Sequence, residues 1–108
     1  MTGATTLTDV TTRLGGVKAK TRQALQAAEA DPAASVVLVA VVREFDSKAD
    51  KATGQASTDA TARDAVIELE QAGDSAKAAA EADTSASSAT KEAVLDAHLA
   101  ICILKTEV

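Results

Sequence analysis

The stretch Ser35–Val42, SVVLVAVV, sets seven apolar residues in a row after its serine. A strand, a membrane segment and a helix without a wet face would each make a different molecule of this chain, so the reading of this run decides the fold. Five of the seven residues are valines, and β-branched side chains favour strands. A strand needs partners, however, and no other segment is comparably β-like. A membrane span needs about 18 apolar residues, whereas this run stops at Arg43. Beyond it, Phe45, Ala49 and Ala52 continue at helical spacing from Leu38 and Val41. Asp31-Pro32 stands just before it, a capping residue followed by the residue best suited to the first helical position. Gly54 stands just after it, a natural C-terminal stop. The sequence therefore predicts a helix over 32–53 whose first half is apolar all round.

The same reasoning predicts three further helices. Over 6–30, Leu7, Val10, Leu14, Val17, Thr21, Ala24 and Ala28 recur at alternating steps of three and four, a heptad-type seam. Thr6 and Asp9 approximate a capping box at its start. Gly15-Gly16 lies inside this helix and costs about 1 kcal/mol per glycine relative to alanine, which marks a candidate kink or break. Over 58–82 the seam is Ala62, Val66, Leu69, Gly73, Ala76 and Ala80. Gly73 there either permits a close helix approach or divides the helix. Over 88–105 the expected seam is Thr90, Ala93, Ala97, Ala100 and Leu104, entered from Ala86 and broadened by Val94, Leu95, Leu99, Ile101 and Ile103. No internal repeat is evident beyond the heptad texture, and no linker divides the chain.

Four helices joined by short connections predict a single all-α domain over 1–108, an antiparallel up-and-down four-helix bundle. In that arrangement the valine run meets Ala24 and Ala28, Ala76 and Ala80, and Ala86 and Ala93. Three alanine-faced neighbours could close around one bulky helix. The competing expectation is that a partner chain covers the outer side of the run.

Composition narrows the function classes. Alanine supplies 26 of the 108 residues, Phe45 is the sole aromatic residue, and the net charge is −5. Alanine has the strongest helix preference, which compensates for a core poor in bulk. The charge is uneven, net positive over residues 1–30 and strongly negative over 59–83, and a chain that is acidic overall argues against general nucleic-acid binding. The first residues, MTGATTLTDV, lack the cationic start and apolar core of a secretory signal. Cys102 is the single cysteine, so no internal disulfide framework exists, which fits a reducing compartment. The expected location is the cytoplasm, with export without a cleavable signal as the alternative.

Catalytic constellations are scarce. The glycine pair in LGGV lacks nucleotide-binding spacing. Glu68 and Glu70, two apart on a helix, point to different faces. A ferritin-like di-iron site needs Glu-x-x-His motifs, yet Leu95 occupies the position three before His98. The apolar residues after His98 also argue against a phosphotransfer histidine. His98 and Cys102 stand four apart on one helix face and supply half of a tetrahedral zinc set. A two-fold dimer could complete it, but Cys102 as a small buried apolar residue and His98 at the edge of the stripe account for the pair, so the expectation is no bound metal and no cofactor. The terminal KTEV fits the pattern that strand-adding grooves read, but the pattern is weak and a frayed end is the expected reading.

These features imply a non-enzymatic helical protein–protein interaction module, acting as a homodimer or as an adaptor or inhibitor of a larger protein. The expected contact residues are Val36 and Val39 on the second helix and Leu99 and Ile103 on the fourth. Two alternatives stand beside it. The composition, rich in Ala, Thr, Ser and Asp with a Thr-rich start, is similar to that of bacterial filament and secreted helical subunits, which implies an assembled structural role. A small-molecule or metal-binding bundle using Gly73 or His98 and Cys102 is the other.

Overall fold

A computed structural model describes residues 7–108. The helices are α1 Leu7–Ala30, α2 Val36–Gln55, α3 Asp59–Ala82 and α4 Ser88–Lys105. No strand occurs among the described residues. Each helix packs against its two neighbours in a ring that α4 closes onto α1. The short connections make successive helices antiparallel. α1 and α3 touch across one diagonal, and α2 and α4 stand at opposite corners. The four-helix bundle read from the sequence is the fold observed. Its long axis of 44 Å is a 24-residue helix of about 36 Å with a connection at either end.

The seams of α1 and α3 hold. Val10, Leu14, Val17, Thr21, Ala24 and Ala28 are all buried, as are Ala62, Val66, Leu69, Gly73, Ala76 and Ala80. The Thr6 cap and the Leu7 seam position lie outside the side chains described. α1 runs unbroken through Gly15-Gly16, and both glycines face open space. Gly73 is different. A Cβ there would lie 3.1 Å from Phe45 Cζ and 3.2 Å from Ile101 Cγ2. Its missing side chain is what lets the Phe45 ring reach α3.

Three expectations are corrected. First, α2 begins at Val36 rather than at residue 32. Ser35 is the cap, its Oγ accepting the Leu38 N–H at 3.0 Å, while Pro32 lies in the preceding turn. Second, the buried line of α4 is Thr90, Val94, Ala97, Ile101 and Leu104. Thr90, Ala97 and Leu104 are buried as expected, but Ala93 and Ala100 are only half-buried, and Val94 and Ile101, expected to broaden the stripe, fill the core between them. Third, the valine run does have a wet face. Leu38 and Val42 are buried, but Val36 is 86% and Val37 68% exposed. A helix at the corner of a ring touches two neighbours, and even alanine-faced neighbours do not wrap its outside.

The structure also overturns the absence of an internal repeat. Shifting the chain by 52 residues carries the buried positions of α1 onto those of α3: Val10 onto Ala62, Leu14 onto Val66, Val17 onto Leu69, Thr21 onto Gly73. It carries Leu38, Val42, Phe45, Ala49 and Ala52 of α2 onto Thr90, Val94, Ala97, Ile101 and Leu104 of α4. The bounds of α1 map onto those of α3, and Ala27–Asp31, AAEAD, recurs as Ala79–Asp83. The bundle is thus two copies of one helical hairpin. The repeat hides in the sequence because side-chain identity is mostly lost while burial is kept.

The two hairpin turns hold each other reciprocally. Asp31 Oδ2 accepts the Ser87 N–H at 2.8 Å, and Asp83 Oδ2 accepts the Ser35 N–H at 2.8 Å. Asp31 Oδ1 takes the Ala33 N–H at 2.9 Å, and Asp83 Oδ1 takes the Ser85 N–H at 3.0 Å. Each aspartate therefore closes its own turn and satisfies the capping residue of the other hairpin. Backbone donors that would otherwise go unpaired at a helix start are met. These bonds favour the charged carboxylates. The Asp31 pKa is lowered to about 2, chiefly by the Ser87 and Ala33 N–H groups. Asp83 is held lower still, first by the Ser35 N–H.

Candidate functional site

The residues expected to make a contact surface fall into two separate places. Val36 lies on the exposed first turn of α2 beside Val37, while Val39 is half-buried. Leu99 and Ile103 are 57% and 46% exposed on α4. Leu95, 37% exposed, extends them into a stripe at four-residue spacing. Helical periodicity sets Leu99 opposite the buried line through Val94, Ala97 and Ile101. The stripe therefore points straight out of the bundle. Because α2 and α4 occupy opposite corners, the two apolar patches do not merge.

His98 and Cys102 do share a face of α4, as their spacing requires. That face looks onto α3, where Glu70 and Asp74 repeat the same four-residue spacing. One donor atom from each of the four side chains lies within 4.8 Å of every other. The His98 Nε2–H donates to Asp74 Oδ1 at 2.8 Å, and Cys102 Sγ is 3.4 Å from His98 Nε2. Lys105 Nζ donates to Glu70 Oε1 at 3.0 Å. The ring of His98 lies against Gly73, whose Cβ would stand 3.4 Å from its Cδ2. The close approach that admits Phe45 thus also seats the histidine.

The electrostatics of the cluster follow from its neighbours. The His98 hydrogen bond, first among the causes, holds the Asp74 carboxyl below its ordinary value. Burial pushes the Cys102 thiol up, and the Glu70 and Asp74 carboxylates push it further. The thiol is therefore shielded from ionisation and is a poor nucleophile at neutral pH. Two carboxylates and a partly buried imidazole meet here, with Asp74 on the exposed side.

Sequence reasoning named His98 and Cys102 and missed Glu70 and Asp74. The signal was present as two pairs at i and i+4, but matching them requires knowing which faces of α3 and α4 meet. The C-terminal KTEV is neither frayed nor extended. Glu107 pairs with Arg13 on α1, the Val108 N–H donates to the Lys105 carbonyl, and the Val108 side chain packs on the core.

No protein-family model, curated protein or solved structure matches this chain.

Proposed function

We propose that this chain is a non-enzymatic helical interaction module that pairs with a second copy of itself across the outer face of α4. The observation that supports this reading is the stripe Leu95, Leu99 and Ile103, apolar and pointed directly away from the core. Antiparallel pairing about Leu99 sets Leu95 of one copy against Ile103 of the other. A two-fold contact of this kind is self-complementary and closes on itself. The stripe is short, which places the dimer among weak, reversible contacts rather than permanent ones. The proposed compartment is the cytoplasm, where Cys102 stays reduced.

Sedimentation over a concentration series, from about 1 µM to about 500 µM, tests this proposal. A monomer–dimer equilibrium, lost in Leu99→Glu with unchanged helicity, is the expected result. A strictly monomeric mass throughout the series removes it. The second apolar patch, at Val36 and Val37 on the opposite corner, supports the alternative of an assembled structural subunit. Two different patches on opposite sides favour head-to-tail growth that does not close. Open-ended growth in the same series, abolished by Val36→Asp, would select that alternative. No helix among the described residues is long and apolar enough to cross a membrane.

A further inference from the structure

We propose that Glu70 and Asp74 of α3 together with His98 and Cys102 of α4 form a binding site for one zinc-like divalent cation per chain. The donor set is one thiol sulfur, which a bound metal ion would deprotonate, one imidazole nitrogen and two carboxylate oxygens, the ligand types that zinc takes. Metal–ligand bonds of about 2.0–2.3 Å in a tetrahedron put the ligand atoms about 3.3–3.8 Å apart. The four atoms here lie within 4.8 Å of one another, so inward rotation of the side chains, without movement of the helices, completes the shell. Asp74 is exposed, so an ion reaches the cluster from solvent, and ligation would replace its present hydrogen bond from His98.

The internal repeat adds an independent argument. The positions equivalent to Glu70, Asp74, His98 and Cys102 in the first hairpin are Lys18, Arg22, Asp46 and Asp50. There the four side chains neutralise each other as two ion pairs, Lys18 with Asp50 and Arg22 with Asp46. In the second hairpin both cations have become carboxylates, and both carboxylates have become metal-ligand types. Lys105, reaching in from the next turn to Glu70, is the one fixed cation bonded to the cluster among the described residues. A cluster of this composition is short of positive charge where its counterpart is balanced, and a bound cation restores the balance. Gly73, where the first hairpin carries Thr21, leaves room for the His98 ring against α3. Thiolate and imidazole together select a borderline-soft ion over magnesium or calcium, which prefer oxygen alone.

The probe is Co²⁺ as a spectroscopic stand-in, followed by Zn²⁺ in competition, added to the full chain freed of metal with a chelator. The expected result is one equivalent bound per chain, with a sulfur-to-cobalt charge-transfer band that zinc abolishes. Cys102→Ser should remove that band, and Cys102→Ser and His98→Ala should each weaken zinc binding at least tenfold. Asp50→Ala, at the equivalent place in the other hairpin, should leave binding unchanged. Circular dichroism on each variant shows whether the fold persists, and Asp74→Asn serves as a third variant on an exposed ligand. The proposal is overturned by absence of stoichiometric binding to the folded chain. It is equally overturned by cobalt binding without the sulfur band, or by affinity that survives loss of both His98 and Cys102. None of these readouts depends on whether the chain dimerises.

Discussion

The two hairpins place the same four positions between their helices and fill them to opposite effect. Between α1 and α2, Asp46 is buried, accepts the Thr21 hydroxyl at 2.9 Å and the Arg22 Nε–H at 3.2 Å, and is fully compensated. Between α3 and α4, His98 stands where Asp46 does and Gly73 where Thr21 does, and two carboxylates gather beside a thiol. The core keeps most of its buried positions but few of its side chains, for only Ala24, Ala28 and Val42 recur, as Ala76, Ala80 and Val94. Bulk is redistributed among these positions: Phe45 over Gly73 on one side answers to Ala97 and Thr21 on the other. Packing fixes where side chains of a given size must go. The sharpest difference in charge lies at the edge of the core, where buried Asp46 is answered by half-buried His98.

The most severe test of that contrast is Phe45→Ala. It removes the largest fully buried side chain and converts the position to the residue its counterpart already carries. With Gly73 opposite, nothing fills the space, and a loss of about 3–5 kcal/mol is expected in urea unfolding. A loss below about 1 kcal/mol would show that the two hairpins do not partition bulk as described. Asp46→Ala comes next. It leaves the Thr21 hydroxyl buried without its acceptor and breaks a charge-assisted bond, at a cost of about 1.5–3 kcal/mol. Asp74→Ala, on an exposed partner, should stay within about 0.5 kcal/mol. Equal losses at the two sites would erase the distinction between a structural cluster and a binding one.

Glycines sharpen the comparison at lower energy. Gly73→Ala places a methyl group against Phe45 and Ile101, and crowding of about 1–3 kcal/mol is partly offset by about 1 kcal/mol of helix preference. Gly15→Ala and Gly16→Ala meet open space and keep that preference whole, so each should raise stability by up to about 1 kcal/mol. Melting temperatures that move in the same direction for all three would contradict the close approach at Gly73.

The gentlest test concerns the place where the hairpins are still alike. Asp31 and Asp83 have folded pKa values below their unfolded ones, Asp31 at about 2 and Asp83 lower. Their contribution is therefore complete above the ordinary aspartate pKa of about 4. It is lost as pH falls through the folded values, since the unfolded chain takes up those protons first. Unfolding free energy measured between pH 5 and pH 2 should decline, and Asp31→Asn should flatten part of the decline. An unchanged slope would mean that the reciprocal turns do not depend on charge.

Much of this architecture was legible in the residues. The seams of α1 and α3 could be read because a three-and-four spacing allows one inward face, and every described member of both is buried. In α4, Thr90, Ala97 and Leu104 were placed inside correctly, but Ala93 and Ala100 fit a seam as well as Val94 and Ile101 do. Only the neighbouring helices decide which of two adjacent lines goes inside. The start of α2 was misplaced because Asp31-Pro32 is a sound local cap whose carboxylate is claimed by Ser87, 56 residues away. Half of the candidate metal cluster was visible as His98 and Cys102. Glu70 and Asp74 were not, since i and i+4 spacing on one helix says nothing about which helix it faces.

The salt link between Glu107 and Arg13, with Val108 seated beside the base of α1, has a topological consequence. It brings the end of α4 alongside the beginning of α1 at the same pole where Ala56–Thr58 joins α2 to α3. The four helices consequently pack in a closed cycle, with one lower junction covalent and the other held by side chains. A circularly permuted chain, cut at Ser57 and rejoined across the ends through a short flexible loop, would trace α3, α4, α1, α2 and arrive at the same packing. In such a fold, the order of the halves along the polymer is a matter of genetics, and the order around the axis is the one that physics sees.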